Sequence, residues 1–228
     1  MADDTFASSA VADGYVSCID RIVAHALRHD ATTALPTCPG WSIRDLLGHL
    51  CGLAEDWANG NLDAYASPKW TDAQVERHRS STLAEVGDEL RARARTLVTL
   101  PAHPVMGTAP RWAYGDALVH EADVCETLGI ESTVPTDDVV RHLGAGLARW
   151  ELARQSVRLE VQSPERAVTV GADGVDAAHV ASVSASSYEL WRFIYGRRTR
   201  AQIAEFEWTG DVDAVLACGL PYPFRIPD

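Results

Sequence analysis

At 228 residues, 46% of them hydrophobic, the chain is long enough to bury a sizeable core in one large domain or two modest ones. Its 20 basic and 32 acidic side chains leave a formal charge of −12, which argues against a nucleic-acid partner and against an anionic membrane surface. Acidic residues in MADDTFASSA, and no apolar run near the roughly 20 residues that cross a bilayer, predict a protein with neither signal peptide nor membrane span, resident in the cytoplasm.

The first helix is predicted from about Phe6 to His29, where Val11, Tyr15, Ile19, Val23, Ala26 and Leu27 recur at steps of three and four. After the turn ALPTCPGW, the stretch Ser42-Ile43-Arg44-Asp45 matches a capping box and opens a second helix reaching about Trp57. Its apolar stripe places His49 on the inward face. A polar segment then leads into a helical stretch from about Asp72 to Leu97, with another capping-box match at Thr82 to Glu85. The fourth element, Pro110 to Gly129, reads as one helix of about five turns, with proline in its first turn and glycine past its end. A shorter helical pattern runs from Val139 to about Arg154, weakened by Gly144 and Gly146.

At Ser156 the period changes from helical to alternating. Val157 to Val161, Ala167 to Val170 and Val175 to Val180 read as strands, Ser186 to Glu189 as a capping box for a further helix, Ala204 to Trp208 as a strand and Asp211 to Cys218 as a short helix. LPYPFRIPD reads as a packed tail. The predicted architecture is α+β: a metal-binding helical bundle over residues 1–155, then a small α+β domain over 156–228.

Chemistry concentrates on the fourth helix. Asp116, His120 and Asp123 stand at i, i+4 and i+7, so one narrow strip carries carboxylate, imidazole and carboxylate among apolar neighbours. Burying that strip without a partner is costly, and a metal ion would satisfy it. His49 with Asp116 and His120 makes a facial set of nitrogen and oxygen donors, with Asp123 placed to orient an imidazole from behind. Spacing alone is equally met by histidines that merely hydrogen-bond in a core. Trp112 and Tyr114 either line a pocket beside the strip or fill the core. Five cysteines, odd in number and without a C-x-x-C pair, predict reduced and mostly buried thiols. His25, His29, His78, His103, His142 and His179 are expected at the surface, and Arg91, Arg93 and Arg95 on a solvated helix face. Arg197 and Arg198 either cap the preceding helix or face a ligand.

The run TCPGWSIRDLLGHL, Thr37 to Leu50, resembles the signature of the DinB-like, mycothiol-dependent maleylpyruvate isomerase family, whose four-helix bundle carries a metal and precedes a small C-terminal domain. The likeness extends to D-x-x-x-H followed by Asp123, and to WRFIYGRR and EFEWTGD near the C-terminus. It implies that His49, Asp116 and His120 hold a divalent metal, zinc by donor type, with aspartate standing where the family has glutamate. It further implies mycothiol, a thiol of actinobacteria, as cosubstrate, an electrophilic small molecule as substrate, and Arg197 or Arg198 facing the site. Isomerase and S-transferase chemistry are both open, as are a monomer and a homodimer. A non-catalytic metal-containing bundle that binds a small molecule is the alternative, and a DNA-damage role finds no basic surface to support it.

Overall fold

Helix α1 (Ser9–Ala26) buries Val11, Tyr15, Cys18, Ile19, Ile22, Val23 and Ala26, one stripe at helical spacing, against the rest of the N-terminal unit. The computed structural model describes residues 9–104 and 106–222, so the start of the first helix at Phe6 and most of the C-terminal tail lie outside the described residues. Helix α2 (Ile43–Asn59) opens with the full Ser42–Asp45 capping box and stops at Gly60, whose φ of 70° suits a residue without a side chain. Instead of one helical stretch from 72 to 97 there are two: α3 (Pro68–Arg77), capped by Ser67 with Pro68 in its first turn, and α4 (Leu83–Leu97), capped by Thr82 and Glu85. The chain leaves the helical path at His78 because Thr82, as an N-cap, needs extended backbone just before α4. Helix α5 (Ala109–Leu128) begins with Pro110 in its first turn and ends at Gly129 in the left-handed region.

Helices α1 and α2 each touch both α4 and α5, which closes a four-helix bundle. Helix α3 lies outside that ring, on α2. Two glycines permit the close approach: a Cβ at Gly52 would stand 2.6 Å from the Cβ of Gln74, and one at Gly48 would stand 3.2 Å from that of His78.

The chain divides into two compact units, Met1–Val134 and Pro135–Asp228. The seam therefore falls about twenty residues before the boundary expected near 155, because α6 (Thr136–Arg149) packs on α7 (Ser187–Ile194) of the second unit. Gly146 is what lets them meet, since a Cβ there would come within 2.6 Å of Ile194. After a single 3-10 turn (Leu152–Gln155) follow β1 (Val157–Gln162), β2 (Ala167–Gly171), β3 (His179–Ser184) and, beyond α7 and α8 (Arg200–Ala204), β4 (Glu207–Gly210) and α9 (Val212–Ala217). Among the described residues these strands form one sheet in the order β2-β1-β3-β4, with β1 parallel to β3 and the outer pairs antiparallel. The buried face carries Val157, Leu159, Val161, Ala181 and Val183.

Three expectations for this unit are corrected. The third strand runs over 179–184, not 175–180, because residues 173–176 close a turn and leave Val175 98% exposed. Ala204 ends a short helix capped by Thr199 and Gln202, so the last strand begins only at Glu207. At Ser186 the hydroxyl does accept from the Glu189 amide, but the Glu189 carboxylate is engaged by Arg198 and not by the helix start.

Candidate metal centre

The bundle brings His49 of α2 to Asp116 and His120 of α5, with one ligating atom from each lying within 4.8 Å of the others. His49 Nε2 stands 3.1 Å from Asp116 Oδ2, and His120 Nε2 stands 3.8 Å from Asp116 Oδ1. Both imidazoles are buried, whereas the Asp116 side chain is 35% exposed and marks the open side of the centre. Trp41, from the turn before α2, covers the rings, with its centroid 5.1 Å from His49 and 5.9 Å from His120.

The hydrogen bonds behind each ring determine what the front of the ring offers. Gln74 Nε2 donates to Asp56 Oδ2 at 2.7 Å, so the oxygen of the same amide faces His49 Nδ1, at 2.8 Å. An acceptor in that place requires Nδ1 to carry a proton, which leaves Nε2 as the nitrogen turned to Asp116. Asp56 is itself held by Asn61 and Arg77, each at 2.9 Å. His120 is fixed in the same sense by a different group: Nδ1 lies 2.9 Å from the fully buried Asp123 carboxylate, which also accepts from the Cys38 thiol at 3.2 Å. Its Nε2 likewise turns to Asp116. Two imidazole nitrogens and a carboxylate thus converge within reach of a single ion. A proton could bridge the His49–Asp116 contact alone. A divalent cation bridges all three at once, and two imidazole nitrogens, one carboxylate and an open fourth direction are the donor set of a catalytic zinc site, so the residues fit the ion.

The remaining candidates fall in different places. Trp112 sits one turn before Asp116 on α5, donates its indole N–H to the Met106 carbonyl at 2.6 Å, and packs edge-on to Tyr65, part of an aromatic cluster with Trp57, Trp70 and His103. Tyr114 is turned to α1, its ring lying where a Cβ at Gly14 would be, 2.8 Å away. Arg197 and Arg198 belong to the second unit. Arg197 donates to the Tyr195 carbonyl at 3.0 Å, and Arg198 grips Glu189 through two nitrogens at 2.5 and 2.8 Å. His78 and His142 are buried, against the expectation of surface positions. Burial, only partly offset by Asp138, depresses the His142 pKa to about 4. Arg93, expected in solvent, is half-buried between Glu89 and Glu55.

Sequence reasoning missed Trp41, Gln74 and Asp56. Trp41 could have been suspected from its place in the turn just before the helix of His49. Gln74 and Asp56 carry no local signal, since their pairing depends on how α3 lies on α2. Trp41 also lines a cleft of about 440 Å³, together with Gly40, Asp45, Asp72, Glu76 and Arg79.

The fold and site are those of a helical bundle whose two buried histidines and one half-exposed carboxylate could hold a metal ion, followed by a small α+β unit. Residues 17–127, just under half of the chain, match the family described as the mycothiol maleylpyruvate isomerase N-terminal domain. The fold is shared with two solved structures. One is a histidine-to-alanine variant of mycothiol-dependent maleylpyruvate isomerase, at a TM-score of 0.56 and 13% identity over 82% of this chain and 88% of the other. The second is a mycothiol-dependent maleylpyruvate isomerase, at a TM-score of 0.52 and 15% identity over 94% of this chain and 95% of the other. No curated protein matches the chain in sequence. Among the described residues no helix is long and apolar enough to cross a membrane.

Proposed function

We propose that this protein is a metal-dependent enzyme that uses mycothiol, or a thiol of that class, on a small electrophile, as an isomerase or an S-transferase. The observation that carries the reading is the convergence of the His49 and His120 Nε2 atoms on the Asp116 carboxylate, and the N-terminal family supplies the thiol. A divalent ion held by these three residues, zinc by donor type, would supply Lewis acidity that lowers the pKa of a thiol bound to it from near 8.5 into the physiological range.

The protein's own residues do the rest. Gln74 and Asp123 each accept from an Nδ1, which turns Nε2 of both rings towards the ion, and Asp116 is the one anionic ligand. The ion itself would draw an incoming thiolate to the open direction. Trp41 shields the rings from water, and the half-exposed Asp116 leaves the approach on its own side. The sulfur of the cosubstrate adds to an electron-poor carbon. Rotation and elimination would then return the thiol with an isomerised product, whereas retention would give a conjugate.

The test is a screen of small electrophiles, starting with maleylpyruvate, with and without added thiol and after chelation. Turnover should need both thiol and divalent ion. Turnover that persists without thiol would overturn the reading, and tight binding without any turnover would favour the non-catalytic alternative.

A further inference from the structure

One face of the bundle outside the His49 centre gathers a thiol, an imidazole and a carboxylate from three separate elements. Cys51 lies on α2, half a turn past His49; His78 is the C-cap of α3; and Glu89 lies on α4. Their sulfur, nitrogen and oxygen atoms all lie within 4.8 Å of one another. Cys51 is fully buried and His78 is 6% exposed. An ion-pair network runs beside them: Arg93 donates through two nitrogens to Glu89 Oε1 at 2.6 and 2.8 Å, and Glu55 takes Arg93 and Arg77 at 3.5 and 3.1 Å.

A purely ionic tie between helices would account for that network, but it leaves two things unexplained. Arg93 uses only one oxygen of Glu89. The other, Oε2, points to His78 Nδ1 at 3.8 Å, too far for a hydrogen bond. Meanwhile His78 Nε2 is buried with no hydrogen-bond partner, a costly state for an imidazole. The local charge also leans negative, since among the described residues Glu55, Glu89 and Asp56 face two arginines, Arg77 and Arg93.

We propose that Cys51, His78 and Glu89 form a second metal site, distinct from the His49 centre and of zinc type by its sulfur, nitrogen and oxygen donors. Arg93 orients the Glu89 carboxylate and its side chain also hydrogen-bonds the Cys51 sulfur. The ion enters past Glu89, whose side chain is 40% exposed, and water from that side completes its coordination. The ion ties α3 to α2 and α4. Gln74, which backs His49, lies one turn before His78 on the same helix, so the second ion steadies the helix that sets the tautomer of the first centre.

The test is reconstitution of the metal-free full chain with Co(II), using a reductant that is not a thiol. Cobalt on His49, Asp116 and His120 has no sulfur ligand, whereas cobalt on Cys51 gives an intense thiolate-to-metal charge-transfer absorption in the near ultraviolet. Wild type should bind about two equivalents and show that absorption. Cys51→Ser should lose the absorption and one equivalent, and Cys38→Ser, which alters the thiol 3.9 Å from His120, should keep the absorption. His78→Gln, a second variant in case Cys51→Ser misfolds, should also lose one equivalent. No charge-transfer absorption in wild type, its survival in Cys51→Ser or its loss in Cys38→Ser would each overturn the proposal. One equivalent without the absorption would leave the His49 centre standing. One equivalent with it, abolished by Cys51→Ser, would support this site and count against the proposed function.

Discussion

The two imidazoles of the centre are supported in opposite ways. His120 leans on Asp123, a buried carboxylate one turn along its own helix, whereas His49 leans on the neutral amide of Gln74, brought from a separate ten-residue helix. A carboxylate behind a ring raises its basicity more than an amide does, and a partner on the same helix cannot drift from it. His120 is therefore the firmly held ligand, and His49 the one through which the centre can loosen. Small proteins need not make every ligand equally strong, and unequal support leaves one side free to exchange.

The comparison can be broken by substitution. His120→Ala should weaken metal binding most, by more than about a hundredfold in a competition titration, since it removes a whole ligand. Asp116→Asn should come next, on the order of a hundredfold, while Asp116→Glu, the longer carboxylate that the family resemblance expects, should still bind. Equal affinity for wild type and Asn would remove Asp116 from the ligands. The supports separate the two rings: Asp123→Asn should cost nearer a hundredfold and Gln74→Leu nearer tenfold, at the two ends of the range for such partners. A larger loss from Gln74→Leu would reverse the account of the two sides. Arg198→Lys should leave metal content unchanged and lower the stability of the second unit by roughly 1–2 kcal/mol, because a lysine cannot reproduce the fork on Glu189. Thermal unfolding with metal analysis on the same samples checks both halves.

The same division explains what could be read in the sequence. Asp116, His120 and Asp123 belong to one helix, so a period of 3.6 places them together, and the capping box at Ser42 fixes the phase that turns His49 inward. Local rules also located the caps at Thr82 and Ser186 and the turn to strands at Val157. What escaped was decided between elements. Gln74 reaches His49 only because Gly48 and Gly52 admit α3, and His78 is buried by the same approach, although both lie on a helix that reads as polar. The assignment of α6 to the second unit rests on Gly146 and Ile194, nearly fifty residues apart. The helix at Arg200–Ala204 is too short for any periodicity to show.

The central claim, that His49, Asp116 and His120 hold a divalent ion, is tested most directly by calorimetric zinc titration of the metal-free wild type beside a His49→Ala/His120→Ala double variant. The wild type should show a tight binding event that the double variant, still folded by circular dichroism, lacks. Identical titration curves for the two proteins would contradict the account.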